Sequence, residues 1–255
     1  MTAPLHARPI GVVGGVGPRA GLDLVQKVLA ATRAERDQDH LPLTLLSHPH
    51  RIPDRTAFLL GHDTENPGEA IADLASALVD GGAEVVGVPC HTAHAAAVFD
   101  VVRERVAGRC TLVDMVEEVG REITERFPRA RRVGVLSTTG TMAAGVYPDR
   151  LGPLGLEVLQ LPPALQQTTV QPAIYDPTYG LKSVSDPVSA RAAGGLQSGL
   201  DHLLRGGAEV VVLACTEIPL ALREPTVGGV PLLDATAVLA RALVRESCPA
   251  ALTDP

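Results

Sequence analysis

Aromatic residues are scarce in this chain: three Phe, three Tyr and no Trp among 255 residues. That leaves no stacking platform for nucleobases and no aromatic belt for a membrane interface. No apolar run reaches 18 residues, which argues against a helical membrane span, and Met1 to Pro9 lacks the apolar stretch of a secretion signal. There is no long basic run, and 22 basic against 29 acidic residues give a net charge of −7, so neither nucleic acid nor a membrane is an expected partner. Lysine is nearly missing as well: only Lys27 and Lys182 stand among the basic residues, the others being Arg. The four cysteines, Cys90, Cys110, Cys215 and Cys248, show no C-x-x-C spacing and are too few for a disulfide scaffold. The expectation is a cytoplasmic protein in which a cysteine serves by reactivity rather than by bridging. Its core must be Val, Leu, Ile and Ala, and its ligand small, polar and non-aromatic.

What is present is an alternation of short apolar strands with amphipathic helices. Ile10–Val13 reads as a strand, followed by a glycine turn at Gly14-Gly15-Val16-Gly17-Pro18 and a helix patterned by Leu22, Val25, Val28 and Leu29. Strands are predicted at 41–46, 83–88, 110–113, 133–136, 156–161, 208–213 and 231–234, and helices at 68–80, 98–106, 192–204 and 236–245. The segment 162–187 reads as loop with little core, and residues 1–8 and 246–255 as frayed ends. Nearly all-apolar strands separated by helices predict parallel sheets covered on both faces.

The chain also repeats itself. Gly81-Gly82-Ala83-Glu84-Val85-Val86 recurs as Gly206-Gly207-Ala208-Glu209-Val210-Val211, and each copy leads to a cysteine, Cys90 or Cys215, with Thr92 or Thr216 close behind. Upstream, Ile10-Gly11-Val12-Val13 matches Val133-Gly134-Val135-Leu136; downstream, Leu112-Val113-Asp114 matches Leu232-Leu233-Asp234. Three landmarks at nearly one offset imply two similar α/β halves, residues 8–114 plus 234–247 and residues 115–233, with tails at 1–7 and 248–255. Ligands of open parallel sheets bind beyond the carboxyl ends of the strands. Pseudo-two-fold pairing would therefore bring the two thiols to one ligand in a cleft between the halves.

Two such thiols can invert a carbon centre. One thiolate removes a proton and the other thiol returns one to the opposite side, while fixed donors neutralise the charge that develops on an adjacent carboxylate. The pattern Gly14-Gly15-Val16-Gly17-Pro18, Ile52-Pro53-Asp54-Arg55-Thr56, Pro89-Cys90-His91-Thr92-Ala93-His94, Thr138-Thr139-Gly140-Thr141 and Cys215-Thr216-Glu217, spread over residues 10–245, resembles the cofactor-independent aspartate/glutamate racemase family. The resemblance implies two Rossmann-like three-layer halves, an active site between them, a homodimer and racemisation of an acidic amino acid without pyridoxal phosphate or metal. It makes Cys90 and Cys215 the acid–base pair. Arg55 and Lys182 then hold the distal carboxylate, and Thr92, Thr141 and Thr216 bind the substrate, mainly its α-carboxylate.

His91 replaces the family's usual Asn. It could pair with a carboxylate, depress the Cys90 pKa or narrow the pocket, so it bears on the identity of the substrate. A maleate-type isomerase, or a racemase of another substrate on the same scaffold, is the alternative within this chemistry.

Other readings compete. Gly15-Val16-Gly17-Pro18-Arg19-Ala20 fits a dinucleotide turn, although no acidic residue ends the second strand. His48, His50, Cys90, His91 and His94 could ligate zinc, with His94 otherwise packing or capping at the next helix. A non-catalytic binding protein would leave the paired cysteines without a purpose. Cys110 reads as core and Cys248 as tail, while His48 and His50 read as loop residues. Asp114 and Asp234 read as helix caps, and Glu217 either caps a helix or tunes Cys215.

Overall fold

The computed structural model describes residues 7–254. In chain order it carries β1 (Ile10–Gly14), α1 (Pro18–Ala31), β2 (Leu43–Ser47), α2 (Arg55–Leu59), α3 (Pro67–Asp80), β3 (Val85–Gly87), α4 (Ala96–Arg105), β4 (Thr111–Val113) and α5 (Met115–Arg126). There follow β5 (Arg132–Ser137), α6 (Thr139–Ala143), α7 (Val146–Leu151), β6 (Glu157–Leu159), α8 (Pro163–Leu165), a π-helical turn (Gln166–Val170) and α9 (Gln171–Tyr175). The chain ends with α10 (Ala190–Arg205), β7 (Val210–Ala214), β8 (Thr226–Val227), β9 (Val230–Asp234) and α11 (Ala235–Ser247). Among the described residues no helix is long and apolar enough to cross a membrane.

The chain divides into two compact units. The first comprises residues 1–54, 65–118 and 236–255, and the second 55–64 and 119–235. The first holds a parallel sheet of order β2-β1-β3-β4; the second holds β6-β5-β7-β9, also parallel, with β8 added antiparallel at the edge. Each order starts at an inner strand, moves outward once and then reverses. Right-handed crossovers therefore place helices on both faces of each sheet, a Rossmann-like plan.

The sequence repeat is a repeat of structure down to the register. Ile10 pairs with Val85 in the first sheet as Val133 pairs with Val210 in the second, and Val86 pairs with Leu112 as Val211 pairs with Leu232. In both units the helix before the duplicated strand closes on a glycine pair whose second member has positive φ, Gly82 or Gly207. The same backbone bond follows, Ala83 N–H to the Leu78 carbonyl and Ala208 N–H to the Leu203 carbonyl. Gly11 and Gly134 are also equivalent. A Cβ on either would lie about as close as 2.9–3.1 Å to the alanine of that turn, so the inner strand stays bare there.

Several expectations are corrected. Segment 162–187 is not core-poor loop: Val170, Ala173, Ile174 and Leu181 are buried with Leu196 and Leu200 of α10. Neither Pro163 nor Pro172 breaks the segment: Pro163 sits in a first helical turn, where its missing N–H costs nothing, and Pro172 directly follows the π-helical turn that widens the helix. The C-terminal residues are not frayed. Arg33 N–H donates to the Ala251 carbonyl, Thr253 N–H to the Ala31 carbonyl, and Cys248 and Ala251 are buried.

At the other end Arg8 is anchored through its guanidinium to the Glu84 carbonyl and the Thr111 hydroxyl; the expectation for residues 1–6 lies outside the described residues. On α1 the buried face is Ala20, Gly21, Leu24, Val28 and Ala31, whereas Leu22 and Leu29 are exposed. Small residues are required there because a Cβ on Gly21 would meet the Leu45 side chain at 3.0 Å. Helix α5, for which the sequence pattern sets no range, is capped by Asp114 as expected: its Oδ1 accepts from the Val116 and Glu117 N–H groups. Residues 55–64, expected in the first half, cluster with the second: α2 packs on α6, and Gly140 is bare where Thr56 passes.

Candidate active-site residues

The glycine turn after β1 serves its own chain. Gly15 (φ +84°) is where the loop after β2 passes, and a Cβ on it would lie 2.8 Å from Pro49 N and 3.1 Å from the His48 backbone.

In the first unit Cys90 lies just past β3 and is buried, its N–H donating to the Val88 carbonyl at 2.9 Å. His91, Thr92 and His94 follow, all buried. His94 bonds through both ring nitrogens. The Met115 N–H reaches Nε2 at 3.2 Å and the Cys90 carbonyl lies 2.8 Å from Nδ1. A backbone N–H can only donate and a carbonyl can only accept, so the ring is the neutral tautomer with its hydrogen on Nδ1. The ring also stacks on Phe99, centroids 4.3 Å apart. His94 therefore packs at the start of the next helix and ties the Cys90 main chain to the start of α5. Among the described residues no group of three or more His, Cys, Asp or Glu could hold a metal ion.

Burial, reinforced by the neighbouring His94, pushes the His91 pKa down to about 3. Buried in this way, His91 is an uncharged polar group at neutral pH. The unfolded chain takes up this proton near pH 6.5, so between about 6.5 and 3 the unfolded state binds more protons than the native state. Stability from this site is complete above about 6.5 and falls as pH drops toward 3. Substituting His91→Asn should reduce the acid loss: between pH 7 and 4.5, wild type should lose roughly 2–3 kcal/mol more than the variant in urea denaturation. Equal losses would contradict a neutral, buried His91.

In the second unit Cys215 lies just past β7, also buried. Its thiol donates to Glu217 Oε2 at 3.0 Å, and the Thr216 hydroxyl donates to the same oxygen at 3.1 Å. Lys182 Nζ lies 3.5 Å from the other oxygen, Oε1. The Glu217 side chain makes no capping bond to the short turn it precedes, so of its two sequence readings the one involving Cys215 holds. Lys182 also sits over the Tyr175 ring, 5.1 Å from its centroid.

Burial disfavours the Lys182 cation, but Glu217, then Cys215 and Tyr175, outweigh it and raise its pKa, against a smaller opposing push from Arg55. Burial likewise disfavours the Glu217 carboxylate, but Lys182 and the hydroxyl and thiol donors hold it below its usual range. Burial first, then the Glu217 charge, pushes the Cys215 thiol up.

Around this cluster the second unit supplies a polar shell. Buried Arg55 starts α2, and the Tyr175 hydroxyl donates to Thr56 Oγ1 at 3.1 Å. Thr141 in α6 is buried. Its N–H donates to the Thr138 hydroxyl, and the two hydroxyls lie 3.0 Å apart. The turn bearing them is clamped from the segment misread as loop: Gln166 Nε2 donates to the Ser137 carbonyl and Gln171 Oε1 accepts from the Thr139 N–H. Sequence reasoning missed Gln166, Gln171 and Tyr175. Their apolar neighbours at helical spacing were the available signal.

Of the residues expected at the site, Lys182, Cys215 and Thr216 meet through the Glu217 carboxylate and Arg55 acts on Lys182, while Thr141 lies in the same unit. Cys90, His91 and Thr92 are consecutive or nearly so in the other unit.

A family profile described as Asp/Glu/hydantoin racemase matches residues 13–243. A broad specificity amino-acid racemase of Bacillus subtilis is 24% identical over 239 residues, covering 92% of this chain and 96% of its own. A glutamate racemase of Roseiflexus is 30% identical over 226 residues, covering 86% and 70%. Among solved structures the fold is similar to that of Picrophilus torridus aspartate racemase, with a TM-score of 0.76, 24% identity and 93% of each chain covered.

Proposed function

Because the chain belongs to the Asp/Glu/hydantoin racemase family, we propose that it racemises an acidic amino acid, without a cofactor, using Cys90 and Cys215 as the two acid–base groups. The observation that carries this reading is the register equivalence of the two thiols. Each follows the same duplicated strand, and each has a threonine one or two residues on. A core cysteine needs no twin, whereas inversion at a carbon needs a base and an acid.

One thiolate takes the proton from Cα, and its sulfur gains the S–H bond. The other thiol gives its proton to the opposite face of the same carbon and is left as thiolate. The charge formed in between spreads into the α-carboxylate, whose stabilisation is assigned to Thr92, to the Thr141 hydroxyl and to the Thr216 N–H, the Thr216 hydroxyl being held by Glu217. The distal carboxylate is assigned to buried Arg55 and to Lys182, which supply positive charge within an acidic protein. His91, uncharged, contributes a polar wall beside Cys90.

The test is chiral chromatography after incubation of the metal- and cofactor-free protein with single enantiomers of aspartate, glutamate and neutral amino acids, and with maleate. Inversion of aspartate or glutamate is the expected result. Fumarate formed from maleate, with no inversion of any amino acid, would replace this reading by the isomerase one.

A further inference from the structure

Glu217 is a buried charged group that the proposed chemistry does not use, and both its oxygens are engaged. Oε2 accepts from the Cys215 thiol at 3.0 Å and from the Thr216 hydroxyl at 3.1 Å, while Oε1 faces Lys182 Nζ at 3.5 Å. A group that only tied down the loop could do so through Thr216 alone. This one takes the thiol hydrogen of the residue that must gain and lose it.

We infer that Glu217 is a positioning residue that holds the proton on Cys215, so that Cys215 rests as a thiol, ready as the proton donor toward one enantiomer, and must first give that proton up to act as base toward the other. The inference rests on the two-thiol reading above. The accounting is direct. While Cys215 is a thiol, the S–H···O bond to an anionic acceptor stabilises it. On delivery the S–H bond breaks, the C–H bond forms, and the electron pair left on sulfur makes a second anion 3.0 Å from the carboxylate. Two adjacent buried anions are disfavoured even with Lys182 beside the carboxylate, so the sulfur takes a proton from water, and Cys90 gives one up to water, before the next cycle. The charged and titratable groups bearing on Cys215 are Glu217 and Lys182, with Tyr175 and Arg55 acting on Lys182 from α9 and α2. The raised Cys215 thiol pKa agrees with this geometry.

The experiment is iodoacetamide labelling of the full-length protein from pH 6 to 11, with Cys215 modification read by peptide mass spectrometry. In wild type the midpoint of Cys215 labelling should lie above the ordinary thiol value of about 8.5. In Glu217→Gln it should fall by at least about one pH unit, so that labelling at pH 8 is on the order of tenfold faster. Glu217→Asp, which keeps the charge, should retain the raised midpoint. A wild-type midpoint at or below the ordinary value overturns the inference without any variant. So does a Glu217→Gln protein that labels faster at every pH with an unmoved midpoint, which is the signature of loosened packing. Labelling needs no turnover, so this result stands apart from the racemase reading, which the chiral assay tests by itself.

Discussion

Replacing either Cys90 or Cys215 by Ser is expected to lower racemisation by about a hundred- to ten-thousandfold, in both directions, with the fold intact. Acid–base catalysis by a positioned group contributes about 10²–10⁴-fold, and the serine hydroxyl is a far weaker acid than a thiol. Ser is also the closest replacement in size, although Cys215 packs in the core of the second unit. The Cys90→Ser protein should therefore keep its thermal midpoint within a few degrees. Cys110→Ser and Cys248→Ser, by contrast, should racemise at the wild-type rate, since Cys110 lies just before β4 and Cys248 packs beneath the C-terminal turn. The measurement is the initial rate from each enantiomer by polarimetry. Full activity in either the Cys90 or the Cys215 variant would remove that residue from the chemistry.

The second large effect concerns His94. Its ring satisfies the Met115 N–H and the Cys90 carbonyl together, in a fully buried place against Phe99. His94→Leu keeps the volume roughly and loses both bonds, leaving a buried donor and a buried acceptor, each costing about 1–3 kcal/mol. The expected destabilisation is about 3–5 kcal/mol in urea denaturation, among the larger single-residue effects. Activity should fall as well, because the main chain bearing Cys90 loses its tie to α5. His94→Gln, whose amide can donate and accept, should recover part of the stability. A His94→Leu protein as stable as wild type would mean that these two backbone groups find other partners at no cost.

How much of this was legible depended on whether a signal was local. The strands, the glycine turns and the duplicated Gly-Gly-Ala-Glu-Val-Val could be read because each is a contiguous pattern, and the pairing registers follow the same duplication. The Cys215-Thr216-Glu217 triplet was visible too. Its hydrogen bonds were not, because a carboxylate two residues from a thiol can turn toward it or away.

Segment 162–187 was misjudged because its prolines and glycines suggest loop, whereas Pro163 opens the helical run and Pro172 follows a π-helical turn that no spacing reveals. The face of α1 was misjudged because a stripe of Leu outweighed Ala20 and Gly21, which the close approach of β2 requires. The two bonds of His94 were beyond reach, since Met115 lies on the far side of α4 and β4 in sequence. The neutral state of His91 likewise follows from burial, which no spacing reveals.

The most direct test of the two-thiol account follows single enantiomers of aspartate or glutamate with the cofactor-free protein in deuterium oxide, by proton NMR at early times. Separate donors on opposite faces predict deuterium at Cα of the inverted product while the remaining substrate keeps its hydrogen. Early deuterium in both enantiomers at equal rates would contradict the account, because it would mean that one group serves both faces.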